Sequence, residues 1–234
     1  MLKDYYKPMP ASFVVANWKA NKTEEEAVLW LKRFEELFRA NPPDLEHKEI
    51  VVCPPHHLLS VLFKYVTRRN QELPIHLGSQ DVSQFGRGAY TGEVPMSLIR
   101  DYANYCIIGH SERRNYFHED DEILQKKVSL VDAGHCKTIF CVPNPDTFIP
   151  QEVVWTAYEP VEAIGTGKPE DPAEANRIAQ EIKQKNPQVK YVLYGGSVTP
   201  ENVHEFTKLD SIDGVLVGGA SLDADKFYQL IINA

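Results

Sequence analysis

The chain is poor in the features that would specialise it. No run of its 234 residues approaches the ~18 apolar positions a spanning helix needs, so it is not expected to cross a membrane. Basic charge is in deficit, with 25 Lys and Arg against 33 Asp and Glu and a formal charge of −8. Such a balance argues against nucleic acid or an anionic membrane surface as a partner. It says little about a small phosphorylated ligand, which feels only its pocket. The four cysteines, Cys53, Cys106, Cys136 and Cys141, lack the paired spacing of a metal site. Three lie in apolar, strand-like runs, and the expectation is a reduced, cytoplasmic protein that keeps them in its core. The opening MLKDYYKPMPASF has no apolar centre and is expected to be a polar lead-in rather than a signal peptide. No stretch rich in Pro, Gly or Ser marks a boundary, so one domain over residues 1–234 is expected.

What is present is an alternation. Short β-branched runs fall at 12–18, 49–54, 74–80, 105–110, 137–142, 152–158, 189–195 and 213–219. Most are continuously apolar, as strands buried on both faces are. Segments of helical period lie between them. Thr23 followed by Glu24, Glu25 and Glu26 reads as an N-cap with an acidic first turn, and Val28, Leu31, Phe34 and Phe38 follow at helical spacing. Further helices are expected near 56–68, 95–103, 119–132, 171–186, 200–208 and 223–232. Eight buried strands with intervening helices predict a parallel sheet closed as a (β/α)8 barrel. The doubly wound alternative lacks a G-x-G-x-x-G after its first strand. One interval is irregular: PNPDTFIPQ (143–151) contains Pro143, Pro145 and Pro150 and has no helical period, so the helix between strands five and six is expected to be reduced or absent.

In such a barrel the chemistry belongs at the C-terminal ends of the strands. The stretch EVVWTAYEPVEAIGTGK (152–168) places Glu159 where a buried run gives way to a loop of small residues. The first run delivers Asn17 and Lys19, and the fourth His110 with Glu112 just beyond. The seventh and eighth close in Gly195-Gly196-Ser197 and Gly218-Gly219, where backbone N–H groups can approach a phosphate without a side chain in the way. Each feature alone has an ordinary structural role; what carries weight is that all five share one end of their strands. The set includes no nucleophile–base pair, and no metal or cofactor is expected. It suits proton transfer beside a carbonyl of a small phosphorylated substrate, with a carboxylate as base and an imidazole and an ammonium facing the oxyanion.

The segments Asn17-Trp18-Lys19, GHSERR (109–114), AYEP (157–160), IGTGK (164–168), YGGSV (194–198) and GVLVGGAS (214–221) together resemble the triosephosphate isomerase family, in order and nearly end to end. The resemblance implies interconversion of dihydroxyacetone phosphate and D-glyceraldehyde 3-phosphate, in glycolysis and gluconeogenesis. It implies Glu159 as base, His110 as neutral electrophile, Lys19 and Asn17 as partners of the enediolate, and Glu112 as support. It further implies phosphate held by Gly165, Ser197, Gly218 and Gly219. The lid would comprise Pro160, Val161, Glu162, Ala163, Ile164, Thr166, Gly167 and Lys168. The segment 80–93 resembles the family's interdigitating loop, with Thr91 at the tip, and implies at least a homodimer.

Two positions depart from the family pattern. Glu162 stands where the family usually carries Trp, and the short segment after Cys141 replaces a Gly-Glu pair and a full helix. Both resemble compact archaeal members, which implies a homotetramer as the alternative assembly. A ribulose-phosphate epimerase would share the phosphate cradle but bring metal ligands at several strand ends. A scaffold decayed from an enzyme would be expected to have lost at least one of Lys19, His110 and Glu159.

Overall fold

The computed structural model describes residues 12–67, 73–160 and 168–234. Among them, eight parallel strands close a barrel in sequence order: β1 (Ser12–Asn17), β2 (Lys48–Cys53), β3 (Ile75–Ser79), β4 (Tyr105–Ile108), β5 (Lys137–Val142), β6 (Trp155–Tyr158), β7 (Tyr191–Tyr194) and β8 (Gly214–Val217). β8 pairs back onto β1, with Val14 opposite Val215 and Ala16 opposite Val217. Around them lie α1 (Glu24–Ala40), α2 (His56–Val66), α3 (Met96–Ile99), α4 (Ser111–Phe117), α5 (Asp121–Ala133), α6 (Pro172–Lys185), α7 (Val203–Thr207) and α8 (Ala224–Asn233). None of the described helices is long and apolar enough to cross a membrane.

Alternation along each strand divides the core in two. Phe13, Val15, Val51, Ile107, Ile139 and Leu193 point into the barrel. Val14, Ala16, Ile50, Val52, Cys106 and Phe140 face outward to the helices. Aromatic rings fill the end where the strands begin: Phe13 meets Tyr191 edge-on at 5.2 Å, and Tyr191 stacks on Trp155 at 5.6 Å. That end is packed, which leaves the other for a site.

The expected strands all form. β6 starts at Trp155 rather than Glu152, because residues 151 and 152 make a turn closed by the Val153 N–H on the Pro150 carbonyl (3.1 Å). No helix lies between β5 and β6, as the prolines predict. α1 carries the capping box expected of Thr23 and Glu26. α3 and α7 are shorter than their sequence periods, and α4 has no counterpart among the expected helices.

Candidate active site

Asn17 is the last residue of β1, and its Oδ1 accepts the Lys19 N–H at 3.0 Å. This bond turns the chain into a left-handed conformation at Lys19, φ 51°. A residue with a β-carbon holds that conformation only where its surroundings impose it. Gln80 supplies part of that imposition, its Nε2 donating to the carbonyls of Lys19 and Cys53, each at 2.9 Å. Lys19 Nζ then reaches Glu112 Oε1 at 2.6 Å.

Gly109, at φ 74°, ends the fourth strand run with a bend that favours glycine and aims His110 into the rim. His110 caps α4, its Nδ1 accepting the Glu112 N–H at 3.2 Å. With that lone pair engaged, the ring's N–H sits on Nε2, which lies 2.9 Å from Glu159 Oε1. Glu159 is 2 % exposed, and its second oxygen accepts the Ser111 N–H at 2.9 Å. Glu159 and His110 are thus in direct contact, braced from one helix start. Beneath them, burial pushes the Cys141 thiol pKa up and the adjacent Glu159 adds to the shift, so this thiol stays protonated.

A cavity of about 260 Å³ brings together Asn17, Lys19, His110, Glu159, Gly195 to Thr199, and Gly218 to Ala220. Ser197, Gly218 and Gly219 therefore share a wall with His110 and Glu159. Gly196 is fixed by contact: a β-carbon there would fall within the Tyr194 hydroxyl. That hydroxyl accepts the Glu170 N–H at 2.9 Å, and the Tyr158 hydroxyl donates to Glu170 Oε1 at 3.1 Å. Glu170 so ties the strand end bearing Glu159 to the strand end bearing the glycine pair. Burial raises its carboxyl pKa, and its Oε2 is buried with no hydrogen-bond partner among the described residues.

A second cavity, about 420 Å³, meets the first at Asn17, Lys19 and His110 and is lined also by Glu112, Gln80, Asp81 and Val94. It is the larger of the two but lacks Glu159 and both glycine pairs, which meet His110 only in the smaller one. Below it Lys127 Nζ, buried, sits 2.7 Å from Asp81 and 2.6 Å from Glu119, with Arg113 bridging the same two carboxylates. Thr91 is exposed at a turn, near the stacked rings of Phe85 and Tyr90. Pro160 is buried and Lys168 exposed. The other expected lid residues, Val161, Glu162, Ala163, Ile164, Thr166 and Gly167, lie outside the described residues, as does Gly165. Sequence reasoning missed Gln80, although it closes its strand run just as Asn17 does, and the Ser111 amide, which no side chain signals.

The fold and this rim define a class, the (β/α)8-barrel enzymes that move protons on small substrates. The family model described as triosephosphate isomerase matches residues 12–153 and 150–234. The triosephosphate isomerase of Dictyoglomus turgidum is 35% identical over 255 residues, covering 95% of this chain and 99% of that one. That of Gloeobacter violaceus is also 35% identical, covering 95% and 98%. The crystal structure of triosephosphate isomerase from Bartonella henselae superposes with a TM-score of 0.77 at 27% identity, over 94% of this chain and 97% of that one. The chain belongs to the triosephosphate isomerase family.

Proposed function

We propose that the protein interconverts dihydroxyacetone phosphate and D-glyceraldehyde 3-phosphate by proton transfer through an enediolate. The carboxylate of Glu159 removes a proton from the carbon beside the carbonyl. The C–H electron pair becomes the enediolate double bond, and the negative charge moves to the former carbonyl oxygen. His110 Nε2–H donates to that oxygen, Lys19 balances its charge and Asn17 holds substrate beside it. His110 gives its Nε2 proton to that oxygen and takes the proton of the neighbouring hydroxyl in its place; Glu159 then returns its proton to the former carbonyl carbon, and the hydroxyl carbon is left as the new carbonyl. Backbone N–H groups of Gly165, Ser197, Gly218 and Gly219 would hold the phosphate, and residues 160–168 would close over the site and exclude water.

The observation that carries this reading is the 2.9 Å contact between His110 Nε2 and Glu159 Oε1 on the wall of one cavity with both glycine pairs. A carbonyl oxygen entering that contact takes over the imidazole N–H and leaves the carboxylate free for the adjacent C–H. Glu112 orients both partners of the oxyanion, its amide fixing the His110 ring and its carboxylate holding Lys19. The working form proposed is a cytoplasmic assembly of at least two chains, each a single barrel domain, with the Thr91 loop of one filling the larger cavity of the next. The open space beside Lys19 and Glu112, and the exposed Phe85–Tyr90 pair, support it.

Turnover in both directions, measured for the wild type and Glu159→Gln, tests the reading. A positioned base contributes ~10²–10⁴-fold, so kcat is expected to fall by at least that much. Unchanged turnover in the variant would remove Glu159 from its role, and an inactive wild type would remove the reaction.

A further inference from the structure

We propose that Lys22 is a positioning residue for phosphate binding, tying the loop that carries Asn17 and Lys19 to the turn that carries Gly218 and Gly219. The inference rests on the reading of those glycines as phosphate donors.

Lys22 is the second left-handed lysine in four residues, with φ 76° after φ 51° at Lys19. An L-residue is strained there, and such strain persists where the surrounding structure enforces it. The enforcing contact runs across the molecule: Lys22 Nζ donates to the Leu222 carbonyl at 2.7 Å. On the way its ammonium passes over the Trp18 ring, 5.1 Å from the centroid. Reaching the carbonyl takes the ammonium partly out of water; burial lowers its pKa, against the opposing pull of Glu26 and Asp223.

Leu222 ends the short 3-10 turn Gly219–Leu222. The backbone N–H and hydroxyl of Ser221 both donate to the Gly218 carbonyl, at 2.9 and 2.7 Å. Trp30 Nε1 donates to the Ser221 carbonyl at 3.1 Å. Three carbonyls of the turn are therefore held from behind, two of them by side chains from the β1–α1 half of the rim. Gly218, Gly219 and Ala220 meanwhile form its cavity wall. Gly218 also packs against Lys19, whose Cε lies 3.3 Å from where a β-carbon on Gly218 would sit. A shift of the turn alters the distance between phosphate and ammonium, and Lys22 opposes that shift without touching the cavity.

The test compares wild type, Lys22→Met, Lys22→Gly and Lys22→Arg in kcat, KM for glyceraldehyde 3-phosphate, inhibition by inorganic phosphate, and melting temperature. Losing a charged hydrogen bond weakens an interaction by about tenfold. In the Met and Gly variants KM and the phosphate inhibition constant are expected to rise together by about that factor, with kcat moving less. Arg is expected to restore most of the loss. Gly, which relieves the left-handed strain, is expected to melt no lower than Met while binding phosphate as poorly. A purely structural lysine would lower the melting temperature and leave phosphate inhibition at the wild-type value, and that result overturns the proposal. So does a fall in kcat without a change in phosphate inhibition, which would mean that Lys22 acts through Lys19. If phosphate fails to inhibit the wild type, the phosphate reading of the turn falls, and the role of Lys22 with it.

Discussion

An alanine at position 196 would drive its β-carbon into the Tyr194 hydroxyl, which already accepts the Glu170 amide at 2.9 Å. Tyr194 cannot retreat, because its ring stacks on Phe206 at 4.0 Å. Gly196→Ala is therefore expected to cost about 1–3 kcal/mol of stability, as overpacking does, and to lower kcat/KM by displacing the turn. Urea denaturation and steady-state kinetics check both; a variant that keeps its stability would mean that the ring pair yields. At this scale Asn17, Lys19, His110 and Glu159 were legible in the sequence, because each is a polar residue closing an apolar run. Gln80 obeys the same rule, but its segment reads first as an interdigitating loop. Left-handed lysines and the Ser111 amide leave no trace in residue type, since both are backbone properties set by distant partners.

Between elements, Glu170 links the ends of β6 and β7 to the residue that caps α6, Asp171. Burial first, then the charges of Glu174 and Asp171, raise its carboxyl pKa, against the Tyr158 hydroxyl and Arg177. A raised acid binds its proton more tightly when folded. The stability it contributes is complete below the unfolded pKa, near ~4.3, and is lost as pH rises through the folded value. Glu170→Gln removes that loss. The variant is expected to melt above the wild type at pH 7.5, with the gap closing as pH falls toward 4.5; a gap independent of pH would assign the effect to packing alone. The strands were legible as elements because β-branched runs buried on both faces need no periodicity to be seen. The missing helix was legible from the prolines around 143–151. α4 was not, because it buries none of its seven residues and so writes no apolar stripe into the sequence.

For the whole molecule, closure of β1 onto β8 leaves no edge strand among the described residues, so the proposed assembly has to use loops and helix faces. The larger rim cavity and the exposed Thr91 turn are such surfaces. Light scattering is expected to find dimers or tetramers, and Thr91→Glu to shift the population toward monomers and lower turnover in parallel. Monomers with full turnover would end the assembly reading. A resemblance supplied this expectation, since geometry between chains is not written in the hydrophobic pattern of one.

The four cysteines are all free and buried. Burial raises the pKa of every one, that of Cys136 to about 12. Thiolates react and thiols largely do not, so alkylating agents and peroxides find no cysteine to attack while the barrel is closed. Unfolded copies expose all four at ordinary reactivity. Oxidation thus sorts the population, sparing folded chains and chemically marking those that have come apart.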